Sequence, residues 1–160
     1  MSWPDQRRDE AVQPDCRIET ILVTTDFSDT SERAFEPALM LARKFGAKII
    51  LAHVEEPELP YVDIENYSGS LSDVTRDLRV QKGDWLAHYA AEHFVPHVEV
   101  KIELLSGVPH VEIVRMADAW GADVIVMATL GRGVVSHALM GSTTERVLRR
   151  STCPVMAVRD

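Results

Sequence analysis

Residues 123–145 read DVIVMATLGRGVVSHALMGSTTE, and the succession of features in that stretch decides the fold. Val124 to Met127 are apolar at consecutive positions and mostly β-branched, as a strand buried on both faces of a sheet must be. Gly131 and Gly133 follow the strand, and Gly141-Ser142 stand directly before a helical segment carrying Val147 and Leu148. Strand, glycine-bearing loop and helix in that order make one half of a parallel β-α-β unit. Glycines also let backbone N–H groups approach an anion with no Cβ in the way. The amides of Gly141, Ser142 and Thr143 would lie open at the positive end of the last helix. Ser142 and Thr143 add hydroxyl donors, and Arg132 is the one cation of the loop. A plainer explanation fits the same residues. Ser142 and Glu145 have the S-x-x-E pattern of a capping box, and loop glycines serve turns. Spacing alone leaves phosphate binding and simple capping both open.

Outward from this stretch the chain repeats the same alternation. Strands are expected at residues 20–24, 48–54, 98–104, 123–127 and 154–158; the third alternates through Val98, Val100, Ile102 and Leu104, which suits an edge strand with one wet face. Four helices are expected between them. The first covers about 29–45, with Phe35, Ala38, Leu39, Ala42 and Phe45 on one face and Gly46 as its stop. Pro37 should kink it or push its regular part downstream. The second covers about 71–94, with Leu71, Val74, Leu78, Trp85 and Tyr89 as a core stripe. The third starts at Pro109, buries Ile113, Met116 and Ala117 and stops at Gly121, and the fourth starts at Ser142. The order β-α-β-α-β-α-β-α-β gives a single-domain α/β fold: an open parallel five-stranded sheet with helices on both faces. Residues 1–17 show no periodicity and read as a flexible leader, with one long loop at 55–70.

Composition bounds the partners. The chain has 160 residues and a net charge of −8, so long-range repulsion from phosphate backbones argues against nucleic acid. No apolar run approaches the roughly 18 to 20 residues that span a bilayer, and the start of the chain has no apolar signal region, so no membrane association and a cytoplasmic location are expected. The two cysteines form no disulfide framework: Cys153 reads as a small buried hydrophobe and Cys16 as an incidental thiol. His88, His93 and His97 fall close together, but Pro96 interrupts the helix between the last two, which speaks against a metal site. For His137, a solvated loop histidine is at least as good a reading as a phosphate contact.

In an open parallel sheet, ligands bind beyond the carboxyl ends of the strands where the strand order reverses. Around the loops found there, the sequence resembles the universal stress protein family. Ala128, Gly131 and Gly141-Ser142 follow its G-x2-G-x9-G-[ST] nucleotide signature, with Ala128 in place of the first glycine. The opening ILVTTDFSDTSERA, the segment GADVIVMATLGRG, the helix GSTTERVLRR and the closing CPVMAVR are also similar, over about residues 18–159. The resemblance implies the adenine nucleotide α-hydrolase-like fold with strand order 3-2-1-4-5, and a site for ATP or AMP, with Mg2+ at the phosphates as one form.

It also implies roles by position. Asp26, with Thr24 and Thr25 before it, takes the place of the acid that contacts the nucleoside. Val54 matches the residue whose backbone meets the adenine edge, and Met127 and Ala128 line the floor. Gly131, Arg132, Gly133, Gly141, Ser142 and Thr143 would surround the phosphates. Homodimerisation through the last strand, Pro154 to Val158, is implied as well, and an apolar edge there favours pairing. Protein partners are not specified by the sequence. The function expected is a nucleotide-binding regulatory protein of stress response; the alternative is an interaction module of the same fold with an empty pocket. No enzyme is expected, because the first loop, Thr24-Thr25-Asp26-Phe27-Ser28, lacks the glycines of adenylating relatives and no nucleophile has an adjacent base.

Overall fold

The computed structural model of the chain describes residues 17–56, 71–131 and 140–159, without the side chains of residues 71–75. The elements follow the expected alternation: β1 (Thr20–Thr24), α1 (Asp29–Glu32), α2 (Phe35–Phe45), β2 (Lys48–Glu55), α3 (Leu71–His93), β3 (Val100–Ser106), α4 (Pro109–Trp120), β4 (Val124–Ala128), α5 (Ser142–Arg150) and β5 (Val155–Val158). All strand pairs are parallel and the sheet order is β3-β2-β1-β4-β5. The chain runs outward from β1 through β2 to β3, then returns across the sheet to β4 beside β1. Right-handed crossovers therefore place the first helices on one face and the last two on the other.

Side-chain alternation along the strands separates two cores. Ile21, Val23, Ile49, Leu51, Val124 and Val126 meet Phe35, Ala38 and Ala42 of α2 and Leu86 and Ala90 of α3, with Phe94 just beyond it. Leu22, Ile50, Ile125 and Met127 meet Ile113, Met116 and Ala117 of α4 and Val147 of α5. β1 and β4 are buried at every position because both faces are covered.

Pro37 breaks the first helical stretch as expected, and three placements are corrected. The first helical stretch is split at Arg33–Ala34, because Pro37 has no N–H to give the Arg33 carbonyl. The regular ladder resumes with the Ala38 N–H on the Ala34 carbonyl at 3.2 Å, and Phe45, at its far end, is exposed. The core stripe of α3 is rotated from the expected one: Leu86 and Ala90 are buried and Tyr89 is partly so, whereas Trp85 and Leu78 are exposed. The third strand starts two residues late, since the amides of His97 and Val98 both return to the Phe94 carbonyl and close the end of α3. β3 is an edge strand, as its alternation requires.

Gly46 and Gly121 end α2 and α4 in the left-handed conformation, at φ 71° and 61°. Cys153 is half-buried against the second core rather than fully enclosed. Among the described residues no helix is long and apolar enough to cross a membrane. The leader at 1–16, Cys16, most of the 55–70 loop, and Arg132, Gly133 and His137 lie outside the described residues.

Candidate functional site

The carboxyl ends of β1 and β4 enclose a cavity of about 300 Å3. Ten of the twelve residues expected at the site line it: Thr24, Thr25, Asp26, Val54, Met127, Ala128, Gly131, Gly141, Ser142 and Thr143. The remaining two, Arg132 and Gly133, are outside the described residues. A larger open depression of about 860 Å3 lies at the opposite, amino end of the sheet, around Arg17, Arg43 and Lys48. That end has none of the strand-end loops that build sites in open parallel sheets.

One wall is the exposed backbone of β2. The last backbone bond from the β1 segment runs from the Thr25 amide to the Ala52 carbonyl at 2.9 Å. In β2 the even-numbered residues direct their peptide groups toward β1 and the odd-numbered toward β3, as the Lys48 amide on Glu19 and the Ile49 amide on Glu99 indicate. Val54 therefore turns its amide and carbonyl toward the β1 side, past the end of β1 and into the cavity it lines.

The opposite wall is the N-terminus of α5. Its position is set by two bonds to the end of β4: the Gly141 amide donates to the Thr129 carbonyl at 2.7 Å, and the Thr144 hydroxyl to the Ala128 carbonyl at 2.9 Å. The open amides are consequently those of Ser142, Thr143 and Thr144, one residue later than expected, because the first intrahelical bond is from Glu145 to Gly141 at 3.0 Å. The capping box does not form. Gly141 is the N-cap, Ser142 lies inside the helix, and Glu145 pairs with Arg149 at 3.0 Å. The Ser142 and Thr143 hydroxyls thus sit beside open amides at the positive end of the helix dipole. Ala128 lies in regular extended strand, so its methyl group requires no backbone strain.

The turn after β1 supplies the acid. Asp26 Oδ1 accepts from the Ser28 amide at 3.1 Å and from the Ser28 hydroxyl. Gly131 comes so close that a Cβ built on it would lie 2.5 Å from Asp26 Oδ2. At this position the absence of a side chain is a packing requirement between the two loops. Phe27 holds φ at 63°, a left-handed conformation rare for a bulky residue.

Several residues of the site were not anticipated. His53, Ser31, Glu56, Pro109, Ile113, Leu130 and Thr144 also line the cavity. One was signalled by sequence, since His53 interrupts an otherwise apolar strand; the short D-x-S turn at 26–28 is likewise typical of an Asp side chain bonding its own backbone. His53 is buried, and its Nδ1 lies 2.8 Å from the Thr25 carbonyl. A carbonyl only accepts, so Nδ1 carries the hydrogen. Burial holds the imidazole below the ordinary histidine range; Lys82 acts in the same direction, while the Thr25 carbonyl, Glu55 and Asp26 oppose. The three histidines near the end of α3 do not converge. His88 pairs with Glu92 at 3.4 Å and the His93 ring packs on Phe35 at 5.0 Å. Among the described residues no group of three His, Cys, Asp or Glu could hold a metal ion.

Comparison with known proteins adds to this geometry. The profile described as "Universal stress protein family" matches residues 17–159. The universal stress protein MJ0531 of Methanocaldococcus jannaschii is 32% identical over 139 residues, covering 87% of this chain and 81% of that protein. MJ0577 of the same organism is 31% identical over 152 residues, covering 87% and 93%. Its solved structure matches with a TM-score of 0.72 at 29% identity, over 89% of this chain and 96% of that one. A universal stress protein crystallised in complex with cAMP matches at 26% identity and a TM-score of 0.58, over 89% and 98% of the two chains.

Proposed function

The chain belongs to the universal stress protein family, and from that premise we propose that it is a regulatory protein of stress response that binds an adenine nucleotide, ATP or AMP, between β1 and β4. One observation carries the reading: a single cavity joins an open backbone edge on β2 to the open amide end of α5. An adenine needs the first and a phosphate needs the second.

In this reading the Val54 amide and carbonyl meet the adenine edge, and Asp26 takes the ribose hydroxyls or the adenine amine. Met127 and Ala128 form the floor. The amides of Ser142, Thr143 and Thr144 and the hydroxyls of Ser142 and Thr143 hold phosphate oxygens. Charge supports that orientation, because the acids Asp26 and Glu56 lie at the β1–β2 side of the cavity and the helix N-terminus at the other. The chain's net charge of −8 is overcome locally by that helix end. The relative in complex with cAMP supports an adenine base. Mg2+ enters this reading only as a companion of the phosphates.

Binding is favoured over turnover. The hydroxyl protons of Thr25 and Ser31 go to neutral oxygens of the turn, and Ser28, whose hydroxyl donates to Asp26, is not among the residues that line the cavity. The same reading takes the protein as a homodimer paired through β5, an edge strand on which Met156 is exposed. Calorimetric titration of nucleotide-stripped protein with ATP and Mg2+, repeated with AMP and cAMP, tests the function. Micromolar affinity is expected for at least one; no heat with any of them from folded protein would point to the interaction module with an empty pocket. Light scattering on the same sample should give a dimer mass, and a monomer mass at micromolar concentration removes the dimer.

A further inference from the structure

His53 touches the turn after β1 at two points, and those points flank Asp26. Its Nδ1–H donates to the Thr25 carbonyl at 2.8 Å, and its ring centroid lies 4.3 Å from that of Phe27. Phe27 is the one non-glycine residue with positive φ among the described residues, and its ring is also packed by Tyr89 at 5.8 Å and Trp85 at 5.5 Å. A bulky residue keeps that conformation only when its surroundings hold it there.

From Thr25 onward the hydrogen bonds have a definite direction. The Phe27 amide donates to Thr25 Oγ1 at 3.0 Å. The Ser31 hydroxyl donates to the Ser28 carbonyl at 2.7 Å, so in the 2.9 Å contact between Thr25 and Ser31 the Thr25 hydroxyl is the donor. Ser28 in turn donates twice to Asp26 Oδ1, through its amide and its hydroxyl. The start of this chain of bonds, the Thr25 carbonyl, accepts from the His53 side chain. Lys82 and Arg79 of α3 reach β2 one turn further out and are engaged by Glu55, at 2.8 and 3.8 Å.

We infer that His53 is a positioning residue for Asp26: by pinning the Thr25 carbonyl from β2 it fixes the turn that aims the carboxylate into the cavity. The consequence for a ligand rests on the nucleotide reading above; the positioning itself does not. Burial favours the neutral imidazole, and the bond to the Thr25 carbonyl places its hydrogen on Nδ1.

Three substitutions separate the contributions. His53→Asn places an amide N–H close to the site of Nδ1–H, His53→Phe keeps an aromatic ring without the donor, and His53→Ala removes both. In ligand-free protein, hydrogen exchange at the Phe27 and Ser28 amides should accelerate about tenfold in the Ala and Phe variants and stay within about threefold of the parent in the Asn variant. With ATP as the probe, the dissociation constant should rise about tenfold in Ala and Phe and be largely restored in Asn. Unchanged exchange in folded His53→Ala, or restoration by Phe and not by Asn, overturns the inference and leaves only packing. If the parent binds no nucleotide, the functional reading fails and the exchange data alone decide the role of His53. If His53→Ala does not fold, the Asn and Phe pair decides it.

Discussion

Around the cavity, the turn after β1 and the N-terminus of α5 use serine and threonine in opposite ways. In the turn, Thr25, Ser28 and Ser31 direct their hydroxyl protons at one another's oxygens and at Asp26, so that region is complete without a ligand. At α5, the Thr144 hydroxyl and the Gly141 amide anchor the helix to the end of β4, while the amides of Ser142, Thr143 and Thr144 and the hydroxyls of Ser142 and Thr143, residues that line the cavity, have no partner among the described residues. One side is a finished, acidic surface suited to a neutral polyhydroxyl group. The other is an unfinished donor cluster suited to an anion. The comparison teaches that the same residue types serve as structure where their partners are internal and, in the reading proposed above, as recognition where they are not.

The largest expected effect comes from closing the unfinished end with the protein's own carboxylate. Gly141 has ordinary backbone angles, φ −74° and ψ 151°, and Asp is a good N-cap residue. Gly141→Asp should therefore leave the melting temperature unchanged or slightly raised while weakening ATP binding by at least about 100-fold, through repulsion at the anion position. Retained affinity in calorimetry would mean that the anion does not sit at α5.

A smaller effect is expected where the two ends touch. In Gly131→Ala the new methyl group would collide with Asp26 Oδ2, which is part of a carboxylate already held by Ser28. The turn or the loop must shift, lowering thermal stability by about 1–3 kcal/mol and ATP affinity about tenfold. Adding Asp26→Ala to that variant should recover the stability, though not the affinity. Recovery of neither would show that the glycine serves something other than this contact.

The smallest effect is shared between the ends. Burial depresses the pKa of His53 beside the turn, and burial followed by Arg150 and Arg146 of α5 depresses that of His110 in the first turn of α4. Both rings bind a proton less readily folded than unfolded, so their stabilising contribution is present above the ordinary histidine value of about 6.5 and declines as pH falls below it. Denaturant titrations between pH 7.5 and 5 should show stability falling as the pH falls. His53→Asn should remove the part belonging to the turn and His110→Gln the part belonging to the α4–α5 side. A flat profile in the parent would mean that neither ring is held neutral.

Most of the fold was legible because its signals are local. Buried strands announce themselves as unbroken apolar runs, and Pro109, Gly46 and Gly121 mark helix ends by backbone geometry that few other residues tolerate. The misses have equally local causes. The stripe on α3 was rotated because apolar residues at helical spacing do not say which of two overlapping faces meets the sheet. Leu86 and Phe94, not Trp85, fill the core. β3 was placed two residues early because the pattern could not show that Phe94 captures the amides of His97 and Val98. The S-x-x-E pattern of α5 was satisfied on paper, yet Gly141 took the cap position and Glu145 turned to Arg149.

By itself, then, the sequence determined the alternation of strands and helices and the residues of the glycine loop, since each depends on neighbours within a few positions, while the acid after β1 stood out only through the family resemblance. The tertiary structure alone decided which of those groups face one another. Bringing β4 beside β1 set α5 opposite the free edge of Val54 and pressed Gly131 against Asp26, and pairing β2 with β1 placed His53 under the turn, contacts between residues 26 to 105 positions apart. No local pattern encodes such distances. They follow from the crossover that reverses the direction of strand addition, and it is that reversal which opens the cavity.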